Sequence, residues 1–353
     1  MNSKTTALAF AAVGTVAGVA GLVFLAAPAG AGEAPPALPQ ISADSLVESV
    51  LTAKVPALGG AVELENNLGL PIPGLPGSMG GGDDIRVYTD GQGRGHISLP
   101  GRDGETTVVA DGTTVWVWNS ADKTVQKMPE GKGEHEMPLE GKFADPAAAA
   151  RELVNAMQQD STVEVDGTAR VADRPVYQLV LAPKPTERTL LREIRVSVDS
   201  QTRVPLQLEV LANGQADPAL KVGFTEFSTG AQDPGLFKFT PPAGAKVTEQ
   251  KPDKKIAGKS PEQLFSQLNL DTVGRGWDTV LTGKLPKDAL SMGGENGQDT
   301  AMQLLGSIGK EVHGTFGSGW IITSKVGTAL ITEDGRVALG AVPEQVVIRA
   351  LSE

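Results

Sequence analysis

"LREIRVSVDSQTRVPLQLEVLANGQADPALKVGFTEF", residues 191–227, places apolar side chains at alternate positions through three successive runs. In the first, Ile194, Val196 and Val198 share one side of an extended chain, and Glu193, Arg195, Ser197 and Asp199 take the other. In the second, Leu206, Leu208 and Val210 oppose Gln207 and Glu209, and in the third Leu220, Val222 and Phe224 continue the apolar side. A period of two with this polar contrast marks antiparallel strands that are dry on one face and wet on the other. A sheet with one long apolar face must curl around that face or be covered by helices.

Upstream, "STVEVDG" and "RPVYQLVLAP" add two more strands. Before them, "DIRVYT", "GHISLP", "ETTVVA", "TTVWVWN" and "KTVQKM" follow one another with Gly- and Asp-containing turns, as in a meander. "GGAVELENN" begins as a strand and runs into a Gly/Pro loop up to Asp84, too long for a simple hairpin. "PGLFKFTPPAG" closes the run, so about ten strands are expected. Two helices accompany them. "SADSLVESVLTAK" opens on the cap-type residues Ser42 and Asp44 and sets Leu46, Val47, Val50 and Leu51 on one stripe. "DPAAAARELVNAMQQ" starts with Asp145 as cap and Pro146 in the first turn, with Leu153, Ala156 and Met157 inward and Arg151, Glu152 and Asn155 outward.

The last hundred residues change character. Ser260-Pro261-Glu262 caps a short helix, "QDTAMQLLGSIG" reads as another, and "GSGWIITSKVGTALITEDGRVALGAV" reads as a pair of strands with a Glu-Asp-Gly turn. The expected fold is mainly β with α: a large curved antiparallel sheet or half-open β-barrel around a lid helix, plus a small C-terminal α+β unit. Residues 41–250 would form the first and 255–353 the second.

The N-terminus gives the compartment. After Lys4, the run from Ala7 to Ala27 carries no charge and is followed by the small-residue stretch "AGAGEAPP". Residues 1–31 read as a signal peptide, cleaved after Ala29 or Ala31, or as a retained membrane anchor, since the run equals the ~20 residues that span a bilayer. Residues 32–40, "GEAPPALPQ", are a Pro-rich linker. In either case the body of the protein lies outside the cytoplasmic membrane, secreted or held at its outer face.

The 353 residues carry 31 Lys plus Arg against 42 Asp plus Glu, a net charge of −11, which argues against nucleic acid as a partner. There is no cysteine, so disulfides, thiolate metal sites and a lipid-modified cysteine are excluded. The three histidines, His96, His135 and His313, lack partners at metal-ligand or triad spacing. Asp83 and Asp84 have no alternating acidic loop after them to make a calcium site. "GQGRGH" has no helix behind it to form a phosphate cradle. No catalytic set emerges, and no cofactor or metal is expected.

"LENNLGLPIPG", "GETTVVADGTTVWVWNSADKTV", "DSTVEVDGTARVADRPVYQLVLAPK", "IRVSVDSQTRVPLQLEV" and "FTEFSTGAQDPGLFKFTPPAGAKV" follow one another from about Leu64 to Val247. In that order and spacing they resemble the LolA/RseB-type lipoprotein-carrier superfamily, most closely its actinobacterial LolA-like members. The resemblance implies an incomplete antiparallel barrel around a helix, with an apolar cavity for the acyl chains of a lipid or lipoprotein, and no catalysis. Such a protein would be an exported carrier or chaperone. The alternatives are an RseB-like envelope sensor binding a membrane partner protein and a structural surface domain with a filled core. A monomer is expected.

The candidate cavity residues are Trp116, Trp118, Ile97, Leu99, Met157, Ile194, Val196, Val198, Leu206, Leu208, Val210, Val222 and Phe224. The tryptophans are the ambiguous members. Both faces of "TVWVWN" are apolar, so either Trp116 and Trp118 look into the cavity, or they are ordinary core and Val115 and Val117 lie under the Gly/Pro loop.

Overall fold

The computed structural model describes residues 35–69, 85–101, 103–129, 151, 154–249, 271–285 and 305–352. The N-terminal segment, the Gly/Pro loop beyond Gly69, most of the Asp145 helix and the two helices expected near Ser260 and Gln298 lie outside the described residues, apart from a short piece at each of the 145 and 298 helices.

Twelve strands form one sheet: β1 (Leu58–Asn66), β2 (Ile85–Thr89), β3 (Gly95–Gly101), β4 (Gly104–Ala110), β5 (Thr114–Asn119), β6 (Thr124–Pro129), β7 (Ser161–Val171), β8 (Arg174–Pro183), β9 (Leu191–Asp199), β10 (Pro205–Ala212), β11 (Leu220–Thr229) and β12 (Lys246–Glu249). Their order is β12-β6-β5-β4-β3-β2-β1-β11-β10-β9-β8-β7. Two meanders, β1–β6 and β7–β11, are thus joined where β1 pairs antiparallel with β11, from Leu58 opposite Thr229 to Asn66 opposite Leu220. Only β12 runs parallel to its neighbour, β6. The edge strands β7 and β12 do not pair with each other, so the sheet stays open.

The sheet is curved. In a flat one β7 and β11 would lie four strand spacings apart, roughly 19 Å. Instead Val171 of β7 and Val176 of β8 pack with Leu206 of β10, and Phe224 and Phe227 of β11 close on the same cluster. Gly60 lets the seam form where β11 bulges, because a Cβ there would sit 2.1 Å from the Glu226 carbonyl oxygen.

Helix α1 (Ala43–Thr52) begins as the sequence predicts, with the Ser42 hydroxyl accepting from the Ser45 N–H at 3.2 Å. Its fully buried Leu46 packs on Tyr177 and Val198, with Val50, Val165, Leu179 and Val196 around them. The helix therefore lies on the apolar side of β7–β9. Of the second expected helix, residues 154–157 are helical, with Val154 buried and Met157 half-buried.

A six-stranded sheet follows: β13 (Asp271–Val273), β14 (Val280–Lys284), β15 (Lys310–Gly314), β16 (Gly317–Thr323), β17 (Thr328–Thr332) and β18 (Arg336–Gly340), in the order β13-β14-β18-β17-β16-β15. The stretch expected as two strands contains three, because "SKVG" makes a turn as well as "EDG". Helix α2 (Glu344–Ser352) covers one face, burying Val347 against Val280, Ile321, Leu330 and Ala338. The two sheets touch through specific bonds. The Trp277 indole donates to Ser161 Oγ at 2.8 Å, and the Leu190 N–H donates to the Ala341 carbonyl at 2.9 Å. Arg188 pairs with Asp278 at 2.8 Å.

Candidate functional site: an apolar sheet face

Strand register assigns every side chain of the large sheet to one of two faces. From β8 to β1, Leu179, Val196, Leu208, Val222 and Leu64 stand in one row, each directly opposite the next. Leu181, Ile194, Val210 and Leu220 form the row beside it. On β1 the same face carries Val62 and Gly60, and from Gly60 the row continues through Val87, Ile97, Val108 and Val117. One apolar face thus runs unbroken from β8 to β5.

The opposite face is charged along much of its width. Glu65 holds Lys221 at 2.6 Å, Glu193 holds Arg195 at 2.6 Å, and Arg86 holds Glu226 at 2.6 Å. The Glu65 carboxylate raises the Lys221 pKa. Ser197 and Asp199 depart from the wet reading of the alternation, for both are buried. Burial alone would raise the Asp199 carboxyl. The two-pronged bonds from Arg174, at 2.9 and 3.0 Å, and the bonds from Thr202 outweigh it and hold the pKa below the usual value.

On this register Trp116 and Trp118 stand on the face opposite to Ile97. Trp116 tilts against Phe239, with ring centroids 5.6 Å apart, and donates its indole N–H to Asp111 at 3.1 Å. The covering segment is the one after β11: a short 3-10 turn (Pro234–Phe237) buries Phe237, and the Leu236 carbonyl bonds His96 Nδ1 at 2.8 Å. That strap occupies the tryptophan face and leaves Val117, Val108 and Ile97 on the other.

The remaining expected residues divide into filled and open groups. Val198 is buried beneath α1, with Val196 at the margin of that cluster. Leu206 is buried with Val171 and Val176, and Phe224 lies edge-on to Phe227 at 5.1 Å beside them. Ile97, Leu208 and Val222 are 40%, 38% and 36% exposed, high for large apolar groups in the middle of a sheet. Ile194 and Val210 are half-buried in the row next to them, and Leu99 shares the strand face of Ile97. Met157 is not brought against this face by any described contact. Around Ile97 the face is hollowed into a groove of about 290 Å³, lined by Leu58, Val87, Thr89, Gly95, Val108 and Ala110. Leu64, Val62, Val87, Val108 and Val117 were not among the expected residues. The alternation in "AVELEN" and "IRVYT" is the signal that marks the first three.

Among the described residues no group of three or more His, Asp or Glu is gathered that could hold a metal ion. His96 is engaged by Leu236 and by Ser98 Oγ at 3.1 Å, and His313 lies at the surface beside Glu311, while His135 is outside the described residues. Among the described residues no helix is long and apolar enough to cross a membrane.

No protein-family model matches the chain, and no curated protein matches it. Solved structures do. The MucA/MucB complex of Pseudomonas aeruginosa is 17% identical over 87% of this chain and 94% of that one, with a TM-score of 0.41. A LolA-superfamily protein from Nitrosomonas europaea is 12% identical over 57% of this chain and 99% of that one, with a TM-score of 0.21. An outer-membrane lipoprotein-sorting domain from Vibrio parahaemolyticus is 10% identical over 51% and 89%, with a TM-score of 0.20. Identities this low speak to fold alone, and function rests on the chain's own side chains.

Proposed function

We propose that the protein is an exported, non-catalytic carrier or chaperone that holds the acyl chains of a lipid or lipoprotein against the apolar face of its curved sheet. The observation that carries this reading is the exposure of Ile97, Leu208 and Val222 within one continuous apolar face. Apolar surface left wet forfeits about 25 cal/mol per Å², so a face of this extent is stabilised by an apolar occupant. Binding by equilibrium exchange of cover for ligand needs no nucleotide or metal. The test is organic extraction of protein purified from its native membrane fraction, followed by lipid mass spectrometry. Stoichiometric acyl lipid in the extract supports the reading, and a lipid-free extract from protein whose fluorescent fatty-acid probe also fails to bind refutes it.

A second reading, an RseB-like sensor that contacts a membrane protein, draws on the small sheet. Its face opposite α2 carries Leu281, Leu339, Ala329 and Ile322 in one row, with a groove of about 500 Å³ above them. Ile322→Asp would abolish partner capture under this reading and leave acyl binding untouched.

A further inference from the structure

Between the two sheets lies a third cleft, of about 570 Å³, whose chemistry differs from that of the apolar face. Its apolar floor is Val273, Val280, Val346 and Ala350. Its charged groups come from three separate elements: Glu187 and Arg188 from the β8–β9 connection, Arg275 and Asp278 from the turn between β13 and β14, and Arg349 from the last turn of α2. The two carboxylates are already engaged. Asp278 takes the Arg188 guanidinium, at 2.9 Å from Nε and 2.8 Å from a terminal nitrogen, and also accepts the Arg188 backbone N–H. Glu187 accepts the Trp277 backbone N–H at 3.1 Å. The side chains of Arg275 and Arg349 are exposed, and no hydrogen bond or ion pair joins either to a described residue.

Three guanidiniums, Arg188, Arg275 and Arg349, line this cleft against two carboxylates, so it is locally cationic on a chain whose net charge is −11. Guanidinium is the group best matched to the oxygens of a phosphate, which it can bind with two parallel bonds. We propose that this cleft is a phosphate-binding site, in which Arg275 and Arg349 clamp the phosphate and the valine floor accepts any apolar part attached to it. The site is separate from the acyl-binding face and stands or falls independently of it. The phosphate is either free or the headgroup of an anionic lipid, and the chemistry of recognition is the same.

The experiment is calorimetric titration of the full chain at low ionic strength with two probes, inorganic phosphate and dihexanoyl phosphatidic acid below its micelle concentration. The wild type is expected to bind one of them saturably, about tenfold more weakly in Arg275→Gln or Arg349→Gln and at least 30-fold more weakly in the double variant. High salt weakens wild-type binding in the same direction. Binding of both probes means that phosphate alone suffices, and binding of the lipid only means a headgroup site; either outcome supports the proposal. The double variant should melt with the wild type, since both side chains are exposed and neither has a partner among the described residues. Absence of saturable binding by both probes, or binding that survives in a folded double variant, overturns it.

Discussion

Leu208→Asp tests the assignment of the ligand to one face of the sheet. Leu208 is 38% exposed and stands opposite Val222 and Val196. Full burial of a leucine is worth about 1.5–3 kcal/mol, so replacing one that is roughly three-fifths buried costs about 1–2 kcal/mol of stability. In a chain of 353 residues that lowers the melting temperature by about 1.5–3 °C. The complex suffers more. A carboxylate pressed against hydrocarbon loses its water without gaining a partner, at about 3 kcal/mol or more, which weakens binding by roughly 100-fold. Gln207→Asp introduces the same charge one residue earlier on the same strand, with its side chain on the other face opposite Gly223 and Ser197. Displacement of a fluorescent fatty acid, read at a temperature where both variants are folded, should show the large loss for Leu208→Asp and less than about a twofold change for Gln207→Asp. Equal losses, or no loss in either, would refute the reasoning from register.

Asp199→Asn should destabilise the fold by about 3 kcal/mol at neutral pH, because Arg174 loses its counter-charge in a site where Asp199 is 0% exposed. The folded carboxyl lies below 3.8, so the stability it supplies is complete above that value and is lost as pH falls through the folded pKa. Urea titrations from pH 7 to pH 2.5 should therefore show the gap between wild type and variant closing only at the acid end. Leu46→Ala empties the contact of α1 with Tyr177 and Val198 and should cost about 2–5 kcal/mol by the same titration at pH 7. Gly60→Ala drives a methyl to 2.1 Å from the Glu226 carbonyl oxygen and should cost about 1–3 kcal/mol or more, again by urea unfolding. Trp277→Phe removes the donor to Ser161 Oγ and should cost about 1 kcal/mol while leaving fatty-acid affinity unchanged.

The sequence discloses strands wherever polar contrast exists. Ile194, Val196, Leu208, Val210 and Val222 alternate with Glu193, Arg195, Gln207 and Glu209, and the register places those five on one apolar face. In "TVWVWN" both sides are apolar, so periodicity cannot say which is covered; the answer lies with Phe237 and Phe239, more than a hundred residues away. Asp199 has the spacing of a wet position and is buried because Arg174, 25 residues earlier, reaches it with both prongs. The four residues of β12 are too short and polar to announce a strand and are held only by pairing with β6. Helix α2 carries a readable signal in Val346, Val347, Ala350 and Leu351, which pack on or beside the small-sheet core, although the elements expected from the sequence end at the strands before it.

The seam between β1 and β11 sets a timetable for biogenesis. The first strand to emerge becomes an interior strand, and its partner lies more than 150 residues further along. Until that partner is made, β1 presents a bare edge able to recruit other extended chains, a hazard for any partly synthesised polypeptide. Closing so long a loop is slow, and it must precede completion of the hydrophobic surface on either side. Maturation should therefore wait for the second meander, and chaperones would be needed most during that interval.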